Sequence, residues 1–363
     1  MVMKNQFNRR DFLKYSLSFA AGGATIAILN PYLKIGDRMA TLLNPGLEKP
    51  FKKSFLSMGT YVDIAIYDQH LKKDAASYIL AMAEEEILAV DRLMSSFRET
   101  SDLVKVNRAA GNDRVVVSGQ LCEVFQAAKE AGRTTGGIFD PTVLPLLQLY
   151  GLRGDHPVIP GRKTLEAVLA LIDYRQISID RDASSVGLSK RGSAADLGGI
   201  AKGYAVDRAV AALRKHGVEG AVINAGGEIY ALGAPKDQAG WEIGIQHPAR
   251  PRALAGRIVV TDKAIATSGN YEWRAQNKNT GKEFSHLVDP LTGDMAEPML
   301  SATIVADSTM KADALSTAVF LMGKAKAEKF IAAQKDVGGA FILPQGKNGI
   351  DIIQAGKFPR ILA

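Results

Sequence analysis

The chain reads Asp-Leu-Gly-Gly-Ile-Ala-Lys-Gly-Tyr-Ala-Val-Asp from Asp196 to Asp207. Gly198 and Gly199 have no Cβ, so the backbone can bend sharply here and bring its N–H or C=O groups against a ligand or a metal ion. The apolar spacing that follows predicts a helix over 200–216, with a partial positive charge at its N-terminus. The spacing of the glycines matches neither the dinucleotide fingerprint nor the Walker pattern. The stretch therefore indicates either a nucleotide-type ligand site or only a tight strand-to-helix turn.

Strands and helices are mixed on both sides of this stretch. Alternating apolar and polar residues predict one strand over 54–67, and a helix over 72–97 follows it. The same reasoning predicts helices over 118–133, 164–172, 311–322 and 325–334. It predicts strands over 177–180, 186–189, 221–224, 228–232, 241–246, 257–261 and 302–305. This mixture, without a convincing linker, predicts an α+β or α/β fold in a single domain.

The composition is that of a globular protein. Of the 363 residues, 47% are hydrophobic and 23% are charged, which are ordinary proportions. The net charge of +7 is uneven, because residues 1–52 hold eight Lys/Arg and three Asp/Glu and so carry +5 of it. The remainder is close to neutral and has no basic stretch interleaved with aromatic residues, which argues against a nucleic-acid partner.

The N-terminus has the pattern of an export signal. Arg9 and Arg10 precede Asp-Phe-Leu-Lys, and the run from Tyr15 to Leu29 is apolar and uncharged. A membrane span needs about 20 residues, and this run is shorter. A twin-arginine signal segment with its leader is therefore predicted over 1–50. We expect a periplasmic protein, or one anchored to the outer face of the inner membrane. An N-terminal helix that is retained remains an alternative, since no clean Ala-x-Ala cleavage site follows.

A second candidate site lies in the predicted helix that contains Asp313. Asp313 and Thr317 are four residues apart and share a face, with Ser316 beside them. Three oxygen side chains on one helical face suit a hard cation such as Mg²⁺, which commonly serves phosphate chemistry. The alternative is an Asp that caps or lies at the surface and a Thr that bonds back to its own helix.

A third candidate is His286, which lies three residues before Asp289 at the edge of a Pro-Gly turn. A histidine there could take a proton from a hydroxyl near neutral pH, although a single histidine is more often structural than catalytic. The chain has no Gly-x-Ser-x-Gly elbow, no His-Glu-x-x-His motif and only one cysteine, Cys122. The chain therefore lacks the usual signatures of serine hydrolases, zincins and redox-cluster proteins. Metal-assisted phosphate chemistry is the class that remains.

Eight segments, in chain order, together resemble the ApbE-like FAD:protein FMN transferase family. They are Met58-Gly59-Thr60, Ser96-Phe97, Gly137–Thr142, Asp196–Asp207, Asn224–Gly227, Ala266–Gly269, His286–Gly293 and Ala312–Thr317. The resemblance spans about residues 54–323. It implies an α+β, T-fold-like catalytic domain over 51–363, with a mixed or antiparallel sheet and flanking helices.

The resemblance also implies an activity and a site. Members of the family use Mg²⁺ to split FAD, join its FMN half through a phosphoester to a threonine of a target protein, and release AMP. The positions that match FAD contacts are Met58, Phe97, Ile138, Phe139, Asp140, Asp196, Lys202 and Val288. Those that match metal ligands are the Gly199 carbonyl, Asp313, Ser316 and Thr317, and His286 matches a histidine needed for transfer. The chain departs from the family at Glu228 and Asn270, where Asp is common.

Two other functions remain compatible with these residues. An FAD pyrophosphatase would use the same metal site with water as the nucleophile and yield FMN and AMP. An exported flavin-binding carrier would hold FAD without catalysis. For a transferase, the expected partners are FAD and an acceptor that presents a threonine, such as a membrane-bound or exported redox protein.

Overall fold

The computed structural model describes residues 50–362 except 69, 154–157, 251–252, 270–273, 277–282, 286, 296–298 and 347–348, and leaves the side chains of 274–276 and 283–285 undescribed. The predicted signal segment, apart from Pro50, lies outside the described residues, as do His286 and Asn270. No helix within the described ranges is both long and apolar enough to cross a membrane.

Helices and strands are mixed throughout the part of the chain that the structure describes. The helices are α1 (Lys73–Met94), α2 (Asp102–Arg108), α3 (Gly119–Thr134), α4 (Leu144–Leu149), α5 (Arg162–Leu169), α6 (Ala201–Lys215), α7 (Thr309–Met322) and α8 (Lys324–Ala332). The strands are β1 (Phe51–Ser57), β2 (Thr60–Ile66), β3 (Val115–Val116), β4 (Ile177–Asp180), β5 (Ser185–Leu188), β6 (Ala221–Ala225), β7 (Glu228–Leu232), β8 (Trp241–Gln246), β9 (Leu254–Val260), β10 (Lys263–Gly269), β11 (Arg274–Gln276), β12 (Glu283–Ser285), β13 (Ser301–Ala306), β14 (Gly338–Gln345) and β15 (Gly349–Gly356).

The central sheet has eight strands in the order β1-β2-β6-β7-β10-β13-β14-β15. Each neighbouring pair in it is antiparallel. Smaller sheets are formed by β3-β5-β4, by β8-β9 and by β11-β12. The α+β prediction is thereby confirmed, and the α/β alternative is wrong, because a doubly wound fold requires a largely parallel sheet.

The predicted single strand over 54–67 is instead the β1-β2 hairpin. Its two-residue turn consists of Met58 and Gly59, whose φ angles are 51° and 74°. Two consecutive positive φ angles match the twist of a tight hairpin, and glycine adopts this conformation without steric cost. The alternating pattern continues through the turn, so periodicity alone does not reveal the reversal of the chain.

The sheet lies between two layers. On one face, Val62 and Ile64 of β2 join the large apolar core that contains α1, α3, α6 and α7. On the other face, Ala65 belongs to a smaller core with Trp241 and Ile258 of the β8-β9 hairpin. Side chains that alternate along a strand thus meet helices on one face and a hairpin on the other, which is why the sheet is buried on both sides.

Two contacts fix α6 against α7. A Cβ added at Gly203 would lie 2.3 Å from the carbonyl oxygen of Thr309, so the two backbones touch there. Asp207 accepts hydrogen bonds from the N–H groups of Thr309 (2.7 Å) and Met310 (2.9 Å), and so caps the start of α7 from a neighbouring helix. This packing sets the distance between the glycine-rich segment and the helix of Asp313.

Candidate active site

Gly199, just before α6, lies directly against Thr317 of α7. A Cβ at Gly199 would be 3.1 Å from Oγ1 of Thr317 and 3.3 Å from Cε2 of Phe139. The contact brings together two residues 118 positions apart that the sequence assigned to one metal site. The absence of a side chain at Gly199 is what leaves its backbone accessible to the hydroxyl.

Asp313 lies one helical turn before Thr317 and is buried. Its Oδ2 accepts a 2.9 Å hydrogen bond from the N–H of Gly203. Burial, and then the nearby negative charge of Glu228, raise the pKa of Asp313 to about 8. The alternative of a surface aspartate is therefore wrong, because Asp313 is a buried carboxyl whose surroundings favour its protonated form.

Hydroxyl groups gather beside Asp313. The Oγ of Ser316 lies 2.9 Å from the Oγ of Ser268, at the end of β10, and donates to the carbonyl of Asp313 at 2.9 Å. The Oγ of Ser268 is also 3.5 Å from Oγ1 of Thr317. Three hydroxyls and one carboxylate thus converge on the face of α7 that meets Gly199.

Lys202 approaches the same region from the first turn of α6. Its Nζ is 2.6 Å from Oε1 of Glu228, whose side chain is 4% exposed. Burial raises the pKa of Glu228, and the ammonium of Lys202 opposes that rise. The second carboxylate oxygen, Oε2, is buried and has no hydrogen-bond partner among the described residues. Two buried carboxyls, Glu228 and Asp313, therefore face one lysine.

These side chains lie at one edge of the central sheet. Glu228 begins β7 and Ser268 lies near the end of β10, and these strands run antiparallel. Gly226, in the β6-β7 turn, packs so closely on Thr60 that a Cβ would lie 2.4 Å from its Oγ1. The β1-β2 turn with Met58 therefore stands next to the glycine turn, at the same edge as the start of α6.

Asp196 holds a second cluster together. Its Oδ2 accepts a hydrogen bond of 3.0 Å from Ser96 and pairs with the guanidinium of Arg153, while Oδ1 accepts from the N–H of Gly198 at 3.0 Å. The guanidinium lies over the ring of Phe97, with Cζ 5.2 Å from the ring centroid. The structure thus brings the predicted residues Asp196 and Phe97 together through an arginine that the sequence did not single out.

The loop that follows α3 contains three predicted site residues, Ile138, Phe139 and Asp140. The carboxylate of Asp140 accepts hydrogen bonds from Thr142 N–H (2.8 Å), Thr142 Oγ1 (2.6 Å) and Tyr174 N–H (2.8 Å). Burial raises its pKa, although these hydrogen bonds oppose the rise. Asp140 thus organises the loop that places Phe139 against Gly199. Ile138 packs, half-buried, on the large core.

Val288 belongs to a separate small core with Leu146 and Tyr150. The turn that follows is closed by a 2.8 Å hydrogen bond from Gly293 N–H to the carbonyl of Asp289. The Tyr150 hydroxyl donates to the carbonyl of Gly293 at 2.6 Å and ties the turn to the end of α4. Of the predicted site residues, His286 is the one whose position the described residues leave open.

The cluster on α7 fits a hard cation. The described residues contain no group of three or more His, Cys, Asp and Glu that could hold a metal ion. A cation would instead bind the Asp313 carboxylate, the Thr317 hydroxyl and the Gly199 carbonyl, an all-oxygen set of the kind that Mg²⁺ prefers. A divalent charge would also offset the burial of Asp313 and Glu228, which Lys202 alone does not neutralise.

Sequence reasoning missed two residues of these clusters. Ser268 lies within Ala266–Gly269, one of the eight segments that resemble the family. Nothing in that segment predicts that the Ser268 hydroxyl contacts Ser316. Arg153 follows Tyr150-Gly-Leu and has no motif around it, so no pattern pointed to it. Both depend on contacts between distant segments.

Comparison with known proteins agrees with this geometry. The sequence model of the ApbE family matches residues 58–341. The chain belongs to the ApbE family. That match contains all thirteen candidate site residues, from Met58 to Thr317.

Relatives within the ApbE family cover most of the chain. The FAD:protein FMN transferase of Klebsiella pneumoniae (strain 342) is 29% identical over 294 residues, which are 80% of this chain and 89% of that protein. The FAD:protein FMN transferase of Vibrio cholerae is 31% identical over 290 residues, 78% of this chain and 85% of that protein.

Solved ApbE structures have the same fold. The ApbE protein of Thermotoga maritima superimposes with a TM-score of 0.76 and 30% identity, and covers 85% of this chain and 97% of its own. The flavin transferase ApbE of Vibrio cholerae gives a TM-score of 0.75 with 27% identity, over 85% of this chain and 98% of its own.

Proposed function

We propose that this ApbE-family chain is an FAD:protein FMN transferase that uses Mg²⁺ and joins FMN to a threonine hydroxyl of an acceptor protein. The observation that carries the proposal is the contact of Gly199 with Thr317, one turn after the buried carboxyl of Asp313. It brings the backbone of Gly199 and the Thr317 hydroxyl together beside the buried carboxyl of Asp313, at the sheet edge where glycine turns leave backbone accessible.

The reaction balances as a phosphoryl transfer. The acceptor oxygen forms a bond to the phosphorus of the FMN half, the P–O bond of the pyrophosphate breaks, and AMP leaves with the bridging oxygen. The acceptor hydroxyl gives up its proton. Negative charge develops on the pyrophosphate oxygens as the bond breaks, so cationic and hydrogen-bonding groups accelerate the step by stabilising that charge.

The residues of the chain have distinct tasks in this scheme. Bound Mg²⁺ would supply Lewis-acid stabilisation of the pyrophosphate oxygens. Asp313, Thr317 and the Gly199 carbonyl would hold the ion, with Ser316 and Ser268 orienting Thr317 through their hydroxyls. Lys202, held by Glu228, would place its ammonium beside the phosphates. Much of the acceleration would come from positioning the substrate.

We keep His286 as the base that takes the proton of the acceptor threonine. The proposal rests on the chemistry of histidine and on its place in the segment before Asp289, since His286 itself lies outside the described residues. A positioned base contributes about a hundredfold or more to such a step. His286→Ala should therefore abolish transfer to the acceptor and leave FAD affinity unchanged.

The activity is tested with purified protein, FAD, Mg²⁺ and an acceptor fragment that presents one threonine. Transfer predicts a fluorescent acceptor band after denaturing electrophoresis, with one AMP released for each flavin attached. Acceptors with Ser or Ala in place of Thr measure the preference for the hydroxyl. Free FMN and AMP without a labelled acceptor would show a pyrophosphatase instead, and intact FAD after long incubation would show a carrier.

The metal site is tested in the same assay with Asp313→Ala and a matched control. Asp313→Ala should abolish turnover at all Mg²⁺ concentrations. Asp182→Ala, which removes an exposed acid in the turn after β4, should leave turnover unchanged. Activity that persists in EDTA, or in Asp313→Ala, would contradict a metal-dependent mechanism.

We also propose that the protein acts outside the cytoplasm, where its acceptor is a membrane-bound or exported redox protein. The support is the pair Arg9-Arg10 followed by an apolar run. Replacing both arginines by lysine preserves the charge and should leave the protein in the cytoplasmic fraction. Normal export of the double-lysine variant would contradict the twin-arginine route.

A further inference from the structure

Arg153 connects two of the residues assigned to FAD, although no sequence pattern indicated a role for it. It follows α4, pairs with Oδ2 of Asp196 and covers one face of the Phe97 ring. Asp196 is itself held by Ser96 and by the N–H of Gly198. The guanidinium is therefore fixed from two sides by residues of the candidate site.

The described residues offer no acceptor to one N–H of this guanidinium. The Nε atom of Arg153 is buried and has no hydrogen-bond partner among the described residues. Leaving a buried donor unpaired destabilises the protein, and more so when the group is charged. Such a donor indicates that an acceptor joins it in the working complex.

Phe97 is the second indication of a ligand. Its side chain is exposed, with a relative accessibility of 71%, although Arg153 covers one face of the ring. A planar ring stacked on an aromatic side chain adds to the affinity beyond the area it buries. The guanidinium restrains the Phe97 ring and so lowers the entropy lost when a ligand stacks on it.

We infer that Arg153 is an FAD-binding residue. Its Nε–H donates a hydrogen bond to an oxygen of FAD, while the guanidinium, anchored on Asp196, holds Phe97 ready to stack against a planar ring of the same ligand. The inference rests on the proposed function in taking FAD as the ligand. The oxygen belongs either to a carbonyl of the flavin ring or to the pyrophosphate, which are both good acceptors.

The test compares ligand affinities of the wild type, Arg153→Ala and Arg153→Lys. Flavin fluorescence measures binding of FAD and riboflavin, and calorimetry measures binding of ADP. FAD should bind Arg153→Ala at least about tenfold more weakly, equivalent to about 1.4 kcal/mol. Arg153→Lys retains the charge without the planar fork and should recover only part of the affinity.

The pattern of losses identifies the oxygen. Weaker binding of riboflavin with unchanged ADP assigns the hydrogen bond to the flavin ring, and the reverse pattern assigns it to the pyrophosphate. A general loss of structure would lower the melting temperature and weaken all three ligands alike, in both variants, and would overturn the inference. Unchanged affinity for all three ligands would also overturn it.

Two controls make the result specific. Arg92→Ala removes another arginine of an ion pair, on the exposed side of α1, and should leave all affinities unchanged. Phe97→Leu and the double variant with Arg153→Ala complete a cycle, in which the double loss should be smaller than the two single losses together. If the wild type binds FAD and transfers FMN while Arg153→Ala binds normally, only this inference fails; if the wild type binds no FAD, the proposed function fails.

Discussion

The N–H of Gly203 donates a 2.9 Å hydrogen bond to Oδ2 of Asp313, and so joins the first turn of α6 to the middle of α7. The bond favours the carboxylate, yet burial and Glu228 outweigh it and raise the pKa of Asp313 to about 8. Near neutral pH the metal-free protein therefore retains a proton on a residue that must lose it to bind a cation.

In the absence of metal, the free energy of unfolding should depend on pH through Asp313. An unfolded aspartate titrates near 3.9, so between about pH 4 and pH 8 the folded state binds one more proton than the unfolded state. The contribution of Asp313 to the free energy of unfolding is therefore complete below about pH 4, falls as the pH rises, and levels off above about pH 8. Asp313→Asn removes the titrating carboxyl, so the variant should not show this fall in the free energy of unfolding between about pH 4 and pH 8.

Thermal melts in EDTA at pH 5 and pH 8 measure this effect. The melting temperature of Asp313→Asn, relative to that of the wild type, should be higher at pH 8 than at pH 5. For Asp182→Asn this difference from the wild type should be the same at both pH values. Added Mg²⁺ should raise the melting temperature of the wild type at pH 8 and leave that of Asp313→Asn unchanged. The same difference between variant and wild type at both pH values would contradict the raised pKa.

Gly199→Ala is expected to weaken metal binding more than folding. Its Cβ would meet Oγ1 of Thr317 at 3.1 Å and the Phe139 ring at 3.3 Å, so both neighbours must move by a few tenths of an ångström. We expect a loss of about 1 kcal/mol in stability, and Gly199→Val should lose more. Calorimetric titration with Mg²⁺ measures the affinity, and Gly161→Ala, in open space, is the control. Equal Mg²⁺ affinity in Gly199→Ala and Gly161→Ala would refute the assignment.

Lys202→Met should destabilise the fold because it leaves the buried carboxylate of Glu228 without its cation. Breaking a buried pair in this way costs about 3–5 kcal/mol. The double variant Lys202→Met with Glu228→Gln should recover much of that loss, since no charge is then left buried. Urea unfolding in metal-free buffer measures all three proteins.

An exposed ion pair provides the comparison for Lys202. Arg162 and Glu166 lie on the surface of α5, and Arg162→Met should change the free energy of unfolding by less than about 1 kcal/mol. If Lys202→Met is as mild as Arg162→Met, the pair with Glu228 does not compensate a buried charge.

Gly203→Ala should prevent α6 and α7 from packing as they do. The added Cβ would lie 2.3 Å from the carbonyl oxygen of Thr309, and backbone atoms cannot move aside as a flexible side chain can. The expected loss is about 3 kcal/mol or more, read as a lower melting temperature or loss of soluble protein. Gly119→Ala at the start of α3, with nothing within 4 Å, should be tolerated.

Local sequence patterns predicted the helices of the site well. The helix predicted over 200–216 is Ala201–Lys215, and that predicted over 311–322 is Thr309–Met322. The apolar residues of the first recur with helical spacing, whereas the second is apolar on most of its faces and begins after Ser308, whose hydroxyl accepts from the N–H of Lys311 at 3.3 Å. A period of 3.6 residues and a cap are local properties, so they can be read without the fold.

Three strands of the central sheet lack the sustained alternating polarity by which a strand is predicted from sequence. Lys263–Gly269 is built mostly of small residues buried on both faces, so its side chains do not alternate in polarity. Gly338–Gln345 and Gly349–Gly356 contain glycines and a proline, which weaken the strand signal. Their place in the sheet depends on pairing with β13 and with each other.

The sequence by itself determined the residue types of the site, the helices that carry them and the family to which the chain belongs. Only the tertiary structure decided that Gly199 meets Thr317, that Glu228 is buried with one oxygen unpaired among the described residues, and that Arg153 joins Phe97 to Asp196. The physical reason is that residue type and periodicity act over a few neighbouring positions. Burial, pKa and hydrogen-bond partners depend on segments far apart in the chain that meet only when the sheet and helices pack.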